Sequence, residues 1–303
     1  MSSREILLQA TSAPATWRSY YELTKPKVVL LITFTAMVGM LLSVPGWVPW
    51  QPLLFGTLGI ALAAASGAAI NQLVEERIDA RMERTRNRPL PTGRLDSGRA
   101  FAFAALLAIL SMAILISQVN LLTALLTFLS LIGYAVIYTL FLKRNTPQNI
   151  VWGGAAGAAP PLLGWAAVTG EVTLQSFLLF LIIFIWTPPH FWPLAIRRRE
   201  EYARAGLPML PVTHGVAFTK LQVLLYSGLL FAVTLLPFAV HMAGYLYLAG
   251  AVILGLGFIH QAWRLYRSDS DQQAMQVFGY SIAYLAMLFG FLLVDHYLIQ
   301  LLA

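Results

Sequence analysis

Nine apolar runs, each near 20 residues long, leave this chain few ways to fold. They lie at about 28–45, 53–73, 100–118, 121–142, 149–168, 174–195, 219–240, 244–263 and 278–301. A helix of that length matches the roughly 30 Å hydrocarbon layer of a bilayer. In hydrocarbon the backbone must satisfy its own N–H and C=O groups, which excludes open strands and leaves helices. The expected fold is therefore an all-α membrane protein of nine transmembrane helices. Composition agrees: 58% of the 303 residues are hydrophobic and 11% charged, against roughly 25% charge in a soluble domain.

The basic residues orient the runs. All 20 Lys and Arg fall on the N-terminal tail or on the four even-numbered connections. They are Arg4, Arg18, Lys25 and Lys27; seven Arg between 77 and 99; Lys143 and Arg144; Arg197, Arg198, Arg199, Arg204 and Lys220; and Arg264 and Arg267. The connections near 46–52, 119–120, 169–173 and 241–243 have none. Cytoplasmic loops carry the Lys/Arg excess, so the N-terminus is expected inside and the C-terminus outside. The net charge of +7 thus marks topology in a lipid bilayer, not a nucleic-acid surface. The first residues have no apolar core and no small-residue cleavage site, so 1–27 reads as a retained cytoplasmic tail ahead of one membrane domain, 28–303. The absence of cysteine excludes disulfides, Fe–S ligation and thiol catalysis.

With almost no charge at midplane depth, the chemistry concentrates at the cytoplasmic rim, in connections 74–99 and 196–218. The first belongs to NQLVEERIDARMERTRNRPLPTGRL, residues 71–95. Asn71, Glu75 and Asp79 are spaced i, i+4, i+8 and share one face of a helix continuing from the second span, with Glu83 one turn further. Arg77 and Arg81 form another stripe about 200° away. The like-charged pairs 75–79, 76–79, 79–83, 77–81 and 81–84 face only one opposite pair, Glu83–Arg86. Each like pair costs roughly 0.2–0.5 kcal/mol, which an ordinary solvated helix avoids. A hard divalent cation on the acidic stripe would account for it. Mg²⁺ takes such oxygen ligands and shares its shell with substrate phosphates, and Arg84, Arg86 and Arg88 suit phosphate oxygens. The plainer alternative is a wet loop whose arginines hold the orientation.

Small residues cluster at 61–69 and 153–161, which allows close helix approach and leaves room beside a flat or isoprenoid ligand. Pro160, Pro161, Pro188 and Pro189 are expected to break their helices. Tyr20, Tyr21, Trp186 and Trp192 read as interfacial aromatics.

Four stretches together resemble a known family: LTKPK (23–27), the 71–95 segment, YTLFLKRNTPQNIVWGGAAGAAPPLLGWAAVTG (138–170) and TPPHFWPLAIRRREEYARAGLPMLPV (187–212). They are similar to the protohaem IX farnesyltransferase branch of the UbiA-type superfamily of intramembrane prenyltransferases, over about residues 20–215. The resemblance implies nine helices around a central cavity, with two acidic motifs at the cytoplasmic side that bind a prenyl diphosphate through Mg²⁺. The first motif falls on Asn71, Glu75 and Asp79 as metal ligands. The pattern DxxMxRTxxRPLP, special to the haem branch, is met by Asp79, Met82, Arg84, Thr85, Arg88, Pro89, Leu90 and Pro91. The second motif departs from the superfamily's paired aspartates; Glu201 and Tyr202 are its candidates here.

By the same resemblance His190, in PPHFW, serves the substrate, as a proton-transfer group or a transient ligand to haem iron. His214, His241, His260 and His296 read as structural. Lys25, Lys143 and Arg144 share the rim with the acidic motif and join Arg84 and Arg88 as diphosphate-binding candidates. The implied reaction joins the farnesyl group of farnesyl diphosphate to a vinyl group of protohaem IX, with addition of water, at the cytoplasmic face of the inner membrane. A prenyltransferase acting on an aromatic quinone precursor is the alternative, against which RTxxRPLP and PPHFW weigh. A secondary transporter would place its charges at the midplane, where this chain has almost none.

Overall fold

The structure, a computed structural model, describes residues 16–268 and 270–302. Of the expected tail 1–27, residues 1–15 lie outside the described residues, Arg4 among them. All regular elements among the described residues are helices: α1 Trp17–Leu23, α2 Pro26–Leu42, α3 Pro52–Asp79, α4 Ser97–Gln118, α5 Leu121–Asn145, α6 Asn149–Thr169, α7 Leu174–Arg197, α8 Arg199–Arg204, α9 Leu210–Thr213, α10 Gly215–Ala239, α11 Tyr245–Arg267 and α12 Asp271–Leu302.

Each expected apolar run falls on one of these helices. Seven of them, α3, α4, α5, α7, α10, α11 and α12, are individually long and apolar enough to cross a membrane. Helices α1 and α2, bent by 52° at their junction, make an eighth if taken as one span. Helix α6 coincides with the fifth run but is not among these seven. Large apolar side chains such as Leu30, Ile109 and Ile253 face outward, at 71%, 65% and 70% exposure. That is the surface a hydrocarbon solvent requires.

The helix ends follow from local chemistry. Asp96 accepts from Arg99 N to cap α4, Asn120 accepts from Thr123 N to cap α5, and Thr173 with Ser176 forms a capping box on α7. Gly170, at φ +73°, closes α6 in the left-handed conformation glycine adopts without strain. The prolines do not break their helices as expected. Pro160 and Pro161 lie inside α6, and Pro188, Pro189 and Pro193 inside α7. Neighbouring helices hold these segments from both sides, a condition under which intramembrane prolines are tolerated.

Helix α2 packs on α3, α6 and α12, and α7 packs on α6, α10 and α12. The α2–α6 contact is the tightest kind a membrane allows. A Cβ added at Gly39 would lie 2.0 Å from the Pro161 carbonyl oxygen, and one at Gly164 2.0 Å from that of Ala36. Backbone therefore touches backbone twice across this seam, through Gly39 and Gly164, which lie outside the two small-residue clusters read from the sequence. Gly39→Ala should push the two helices apart and lower stability by about 1–3 kcal/mol. Gly157→Ala, with nothing within 4 Å of the added Cβ, should be neutral. Thermal unfolding of both variants in detergent checks this; equal midpoints would refute the seam.

Candidate functional site

Helix α3 runs unbroken from the membrane to Asp79, so Asn71, Glu75 and Asp79 do share one face. All three are buried, at 3%, 4% and 2% exposure, whereas Arg77 and Arg81 are exposed. Glu83 does not extend the stripe. The helix ends at Ala80, and the Asp79 carbonyl oxygen accepts from the Thr85 hydroxyl at 3.0 Å instead of continuing the helical ladder. Met82, Thr85, Leu90 and Leu95 are buried, and seating them folds 80–95 back as turns that leave Glu83 exposed.

Each member of the stripe meets one cation, and the three cations come from three different places. Lys25 Nζ donates to Asn71 Oδ1, Lys143 Nζ to Glu75 Oε1, and Arg88 Nη1 to Asp79 Oδ2 at 2.6 Å. The like-charge pattern thus has its counter-charges in tertiary neighbours, not along its own helix. A buried carboxylate without a partner would lose its hydration for nothing, so these contacts hold the rim together.

Local structure explains how each cation arrives. Lys25 sits in the break between α1 and α2 with φ +52°, and Gln72 holds that break by donating to Leu23 O at 2.8 Å and Glu22 O at 3.2 Å. Lys25 is half-buried. Loss of water pushes its ammonium down to about 7, Arg88 acts in the same direction, and Glu75 opposes. Lys143 follows a π-helical stretch of α5, Gly133–Leu142. Within it Thr139 donates to Tyr134 O at 2.7 Å and accepts from Asn71 Nδ2 at 3.4 Å. Thr139 and Gln72 were missed in the sequence, although a hydroxyl inside an apolar run was the available signal for the first. Arg144 lies off the stripe, exposed, with Nη2 on Val74 O at 3.2 Å. Arg84 is exposed and, among the described residues, makes no hydrogen bond or ion pair.

The donor set suits Mg²⁺. It consists of oxygens only, and among the described residues Glu75 Oε2 and Asp79 Oδ1 accept no hydrogen bond. No three His, Cys, Asp or Glu side chains gather into a cage among the described residues. Mg²⁺ does not need one when substrate phosphates complete its shell.

The second motif lies on α8 across the same rim. Glu201 Oε1 is buried without a partner, while its other oxygen is 3.9 Å from Arg198 Nη1. An orphaned carboxylate oxygen is a fit for a further cation or a substrate proton. Tyr202 is buried. Burial raises its pKa, Arg84 and Arg198 oppose, and Glu201 and Glu75 reinforce, so it stands in the field of both motifs. Glu200, Glu201, Arg197, Arg198 and Arg204 line a cleft of about 470 Å³ beside them. A second, apolar cleft of about 340 Å³ lies between α5 and α6, bordered by Tyr138, Leu142, Gly153, Ala156, Ala159 and Phe180.

His190 sits two turns in from the end of α7, away from the stripe. Its ring lies between Trp186, at 4.1 Å between centroids and 12°, and Phe278 of α12, at 4.8 Å and 23°. Trp186 and Trp192 are therefore not interfacial. Both are buried, the first donating to Ser281 O at 2.9 Å and the second edge-on to Tyr226. Tyr20 packs edge-on to Phe103, and Tyr21 is exposed. His296 joins Gln300, and Gln300 accepts from Gly46 N at 2.9 Å, a structural tie at the opposite end of the bundle.

Removing Lys143 should leave Glu75 buried without a counter-charge. Lys143→Met is expected to destabilise the chain by about 3–5 kcal/mol in metal-free buffer. Added Mg²⁺ should recover more of that loss than it adds to the wild type, if the stripe is a cation site. Melting curves with and without Mg²⁺ decide; an equal shift in both proteins would count against the metal.

The chain matches the UbiA prenyltransferase family over residues 32–292. The protoheme IX farnesyltransferase of Thioalkalivibrio sulfidiphilus (strain HL-EbGR7) is 65% identical over 297 residues, covering 98% of each chain. That of Nitrosococcus oceani is 64% identical over 282 residues, covering 93% of this chain and 94% of the relative. Among solved structures, a digeranylgeranylglyceryl phosphate synthase superposes with a TM-score of 0.80 at 20% identity, over 92% of this chain and 98% of that one. A UbiA homolog from Archaeoglobus fulgidus bound to DMAPP and Mg²⁺ gives 0.65 at 18% identity, over 88% and 99%. These last two speak for the fold. With its apolar helices and this match over most of its length, the chain is an integral multi-pass membrane protein and belongs to the UbiA prenyltransferase family.

Proposed function

We propose that this chain transfers the farnesyl group of farnesyl diphosphate to a vinyl group of protohaem IX, with addition of water, giving haem O and diphosphate. The observation that carries the proposal is the stripe Asn71–Glu75–Asp79 with a separate cation on each member. Relatives named protoheme IX farnesyltransferase at 65% and 64% identity support the choice of prenyl donor and acceptor. The full architecture in this proposal is nine spans in one domain, 28–303, with the N-terminus inside and the C-terminus outside. The site then opens at the cytoplasmic side of the inner membrane.

Asn71, Glu75 and Asp79 would hold Mg²⁺, which supplies positive charge to the diphosphate as it departs. Lys25, Arg84, Arg88, Lys143 and Arg144 surround the same rim and bind the diphosphate oxygens, stabilising the charge that grows there. Arg84 is free to do so at once, whereas Lys25, Arg88 and Lys143 must turn from their carboxylate or carboxamide partners. Glu201 and Tyr202 close the site from α8. The apolar cleft between α5 and α6 gives the hydrocarbon tail a place away from water.

Carbon–oxygen cleavage sends its electron pair to the diphosphate. The vinyl π electrons then form the new carbon–carbon bond, and the porphyrin-side cation takes the hydroxyl of water and releases a proton. Excluding water until the new bond exists is what an intramembrane site contributes. His190 serves the acceptor half.

Asp79→Asn should keep the fold and lose transfer, because the amide weakens cation binding. Arg88→Lys keeps the charge but loses the two-pronged contact that guanidinium makes with phosphate, so its turnover should fall severely too. Membranes supplied with Mg²⁺, labelled farnesyl diphosphate and either haem or 4-hydroxybenzoate provide the assay. Label in 4-hydroxybenzoate, or normal turnover by Asp79→Asn at limiting Mg²⁺, would overturn the corresponding part of the proposal.

A further inference from the structure

His190 makes its one hydrogen bond among the described residues through Nδ1, 2.7 Å from the Ser281 hydroxyl of α12. The same hydroxyl lies 2.6 Å from the Phe278 carbonyl oxygen. A carbonyl oxygen cannot donate, so the single serine proton belongs to that shorter contact. The hydroxyl oxygen is left to accept, and Nδ1 must carry the proton that it accepts. Nε2 is then an unprotonated lone pair.

The rest of the surroundings fix the ring. Trp186 and Phe278 cover its two faces. Trp186 also donates to the Ser281 carbonyl oxygen at 2.9 Å, which locks α7 and α12 in register at this point. Ser281 is itself fully buried. The only unengaged nitrogen is Nε2, on a half-buried residue. A histidine that binds a metal through one nitrogen and anchors the other through N–H has this arrangement.

We propose that Ser281 is a positioning residue that holds His190 as its Nδ1–H tautomer, so that Nε2 offers a lone pair to the iron of the porphyrin acceptor. This rests on the haem-acceptor reading above. The iron belongs to the substrate, and no bond of the porphyrin changes in the contact itself. Ser281 was not legible in the sequence because it lies 91 positions from His190, in the region that the family motifs do not reach.

The test uses the full chain in lipid nanodiscs with ¹⁵N-labelled histidine and without haem. Nitrogen NMR, assigned by comparison with His190→Ala, should show Nδ1 protonated and Nε2 bare. Ser281→Ala should mix the tautomers, and Ser281→Thr, which keeps the hydroxyl, should restore the wild-type pattern. Absorbance titration with ferric protohaem should show a histidine-ligated spectrum that His190→Ala lacks. Ser281→Ala should bind haem about 10-fold more weakly or worse, with affinity for a non-hydrolysable farnesyl diphosphate analogue unchanged in every variant. Protonation at Nε2 in the wild type, or haem affinity unchanged in Ser281→Ala, would overturn the inference while farnesyl transfer to haem still stands. A wild type that neither binds haem nor moves label to it would overturn the acceptor reading, and this inference with it.

Discussion

The rim of this protein depends on a buried stripe of two carboxylates and one carboxamide, each of which meets a cation. Glu75 and Asp79 lie at the end of a membrane helix, where water cannot solvate them fully, and Coulomb attraction is correspondingly strong. Nothing on their own helix neutralises them, since its one basic residue, Arg77, is exposed on another face. The partners come from the α1–α2 break, the π-helical end of α5 and the 80–95 turns. One electrostatic requirement therefore joins four chain segments. Contrast Arg18 with Glu22, an exposed pair at 76% and 34% side-chain exposure. Such an i, i+4 pair lies within one helix and contributes little.

The same requirement explains what was legible in the sequence. Helical periodicity alone put Asn71, Glu75 and Asp79 on one face, and the surplus of like charges signalled that the answer lay off the helix. Where the helix stops was not legible, because that depends on Thr85 and Leu90 finding their burial sites. Glu83 was misplaced for this reason. The prolines of α6 and α7 misled for a related one: their local preference is to break a helix, and it is overridden by packing that only the assembled bundle provides. Trp186 and Trp192 looked interfacial by residue type, yet their depth is set by which face of α7 meets α10 and α12. Thr139 and Ser281 carry no periodic signal, being isolated from their partners in sequence by 68 and 91 positions.

The proposed function divides its chemistry between separate helices. Its anion-binding half would be α3, the end of α5 and the 80–95 turns, all at the wet end. The half containing His190 is built from α7 and α12, with its ring between Trp186 and Phe278. Tyr202 and Glu201, on the short helix that follows α7, stand between the two. Such a division would let a soluble, highly charged leaving group remain near water while hydrocarbon and porphyrin are handled in the apolar region. It would also make the two halves separable by mutation, since among the described residues the stripe side chains' hydrogen bonds and ion pairs go to Lys25, Arg88, Thr139 and Lys143, none of which lies on α7 or α12.

The cations on the stripe do more than neutralise it. In the absence of substrate they keep Glu75 and Asp79 from standing as buried, unpaired charges. In the proposed function, a divalent cation on the carboxylates would replace them there, and Lys25, Lys143 and Arg88 would become surplus positive charge beside a polyanion. Such an exchange would conserve local charge balance at both ends and leave no bare buried ion in either state. Lys25 shows that the fold holds it ready: its backbone sits at φ +52°, a conformation that costs a non-glycine residue roughly 1–2 kcal/mol. The contacts of Gln72 with the end of α1 and of Lys25 with Asn71 maintain it there. Strain at one residue is thus tied to the placement of a charge on a carboxamide oxygen, the charge that the proposed reaction would pass on to a phosphate.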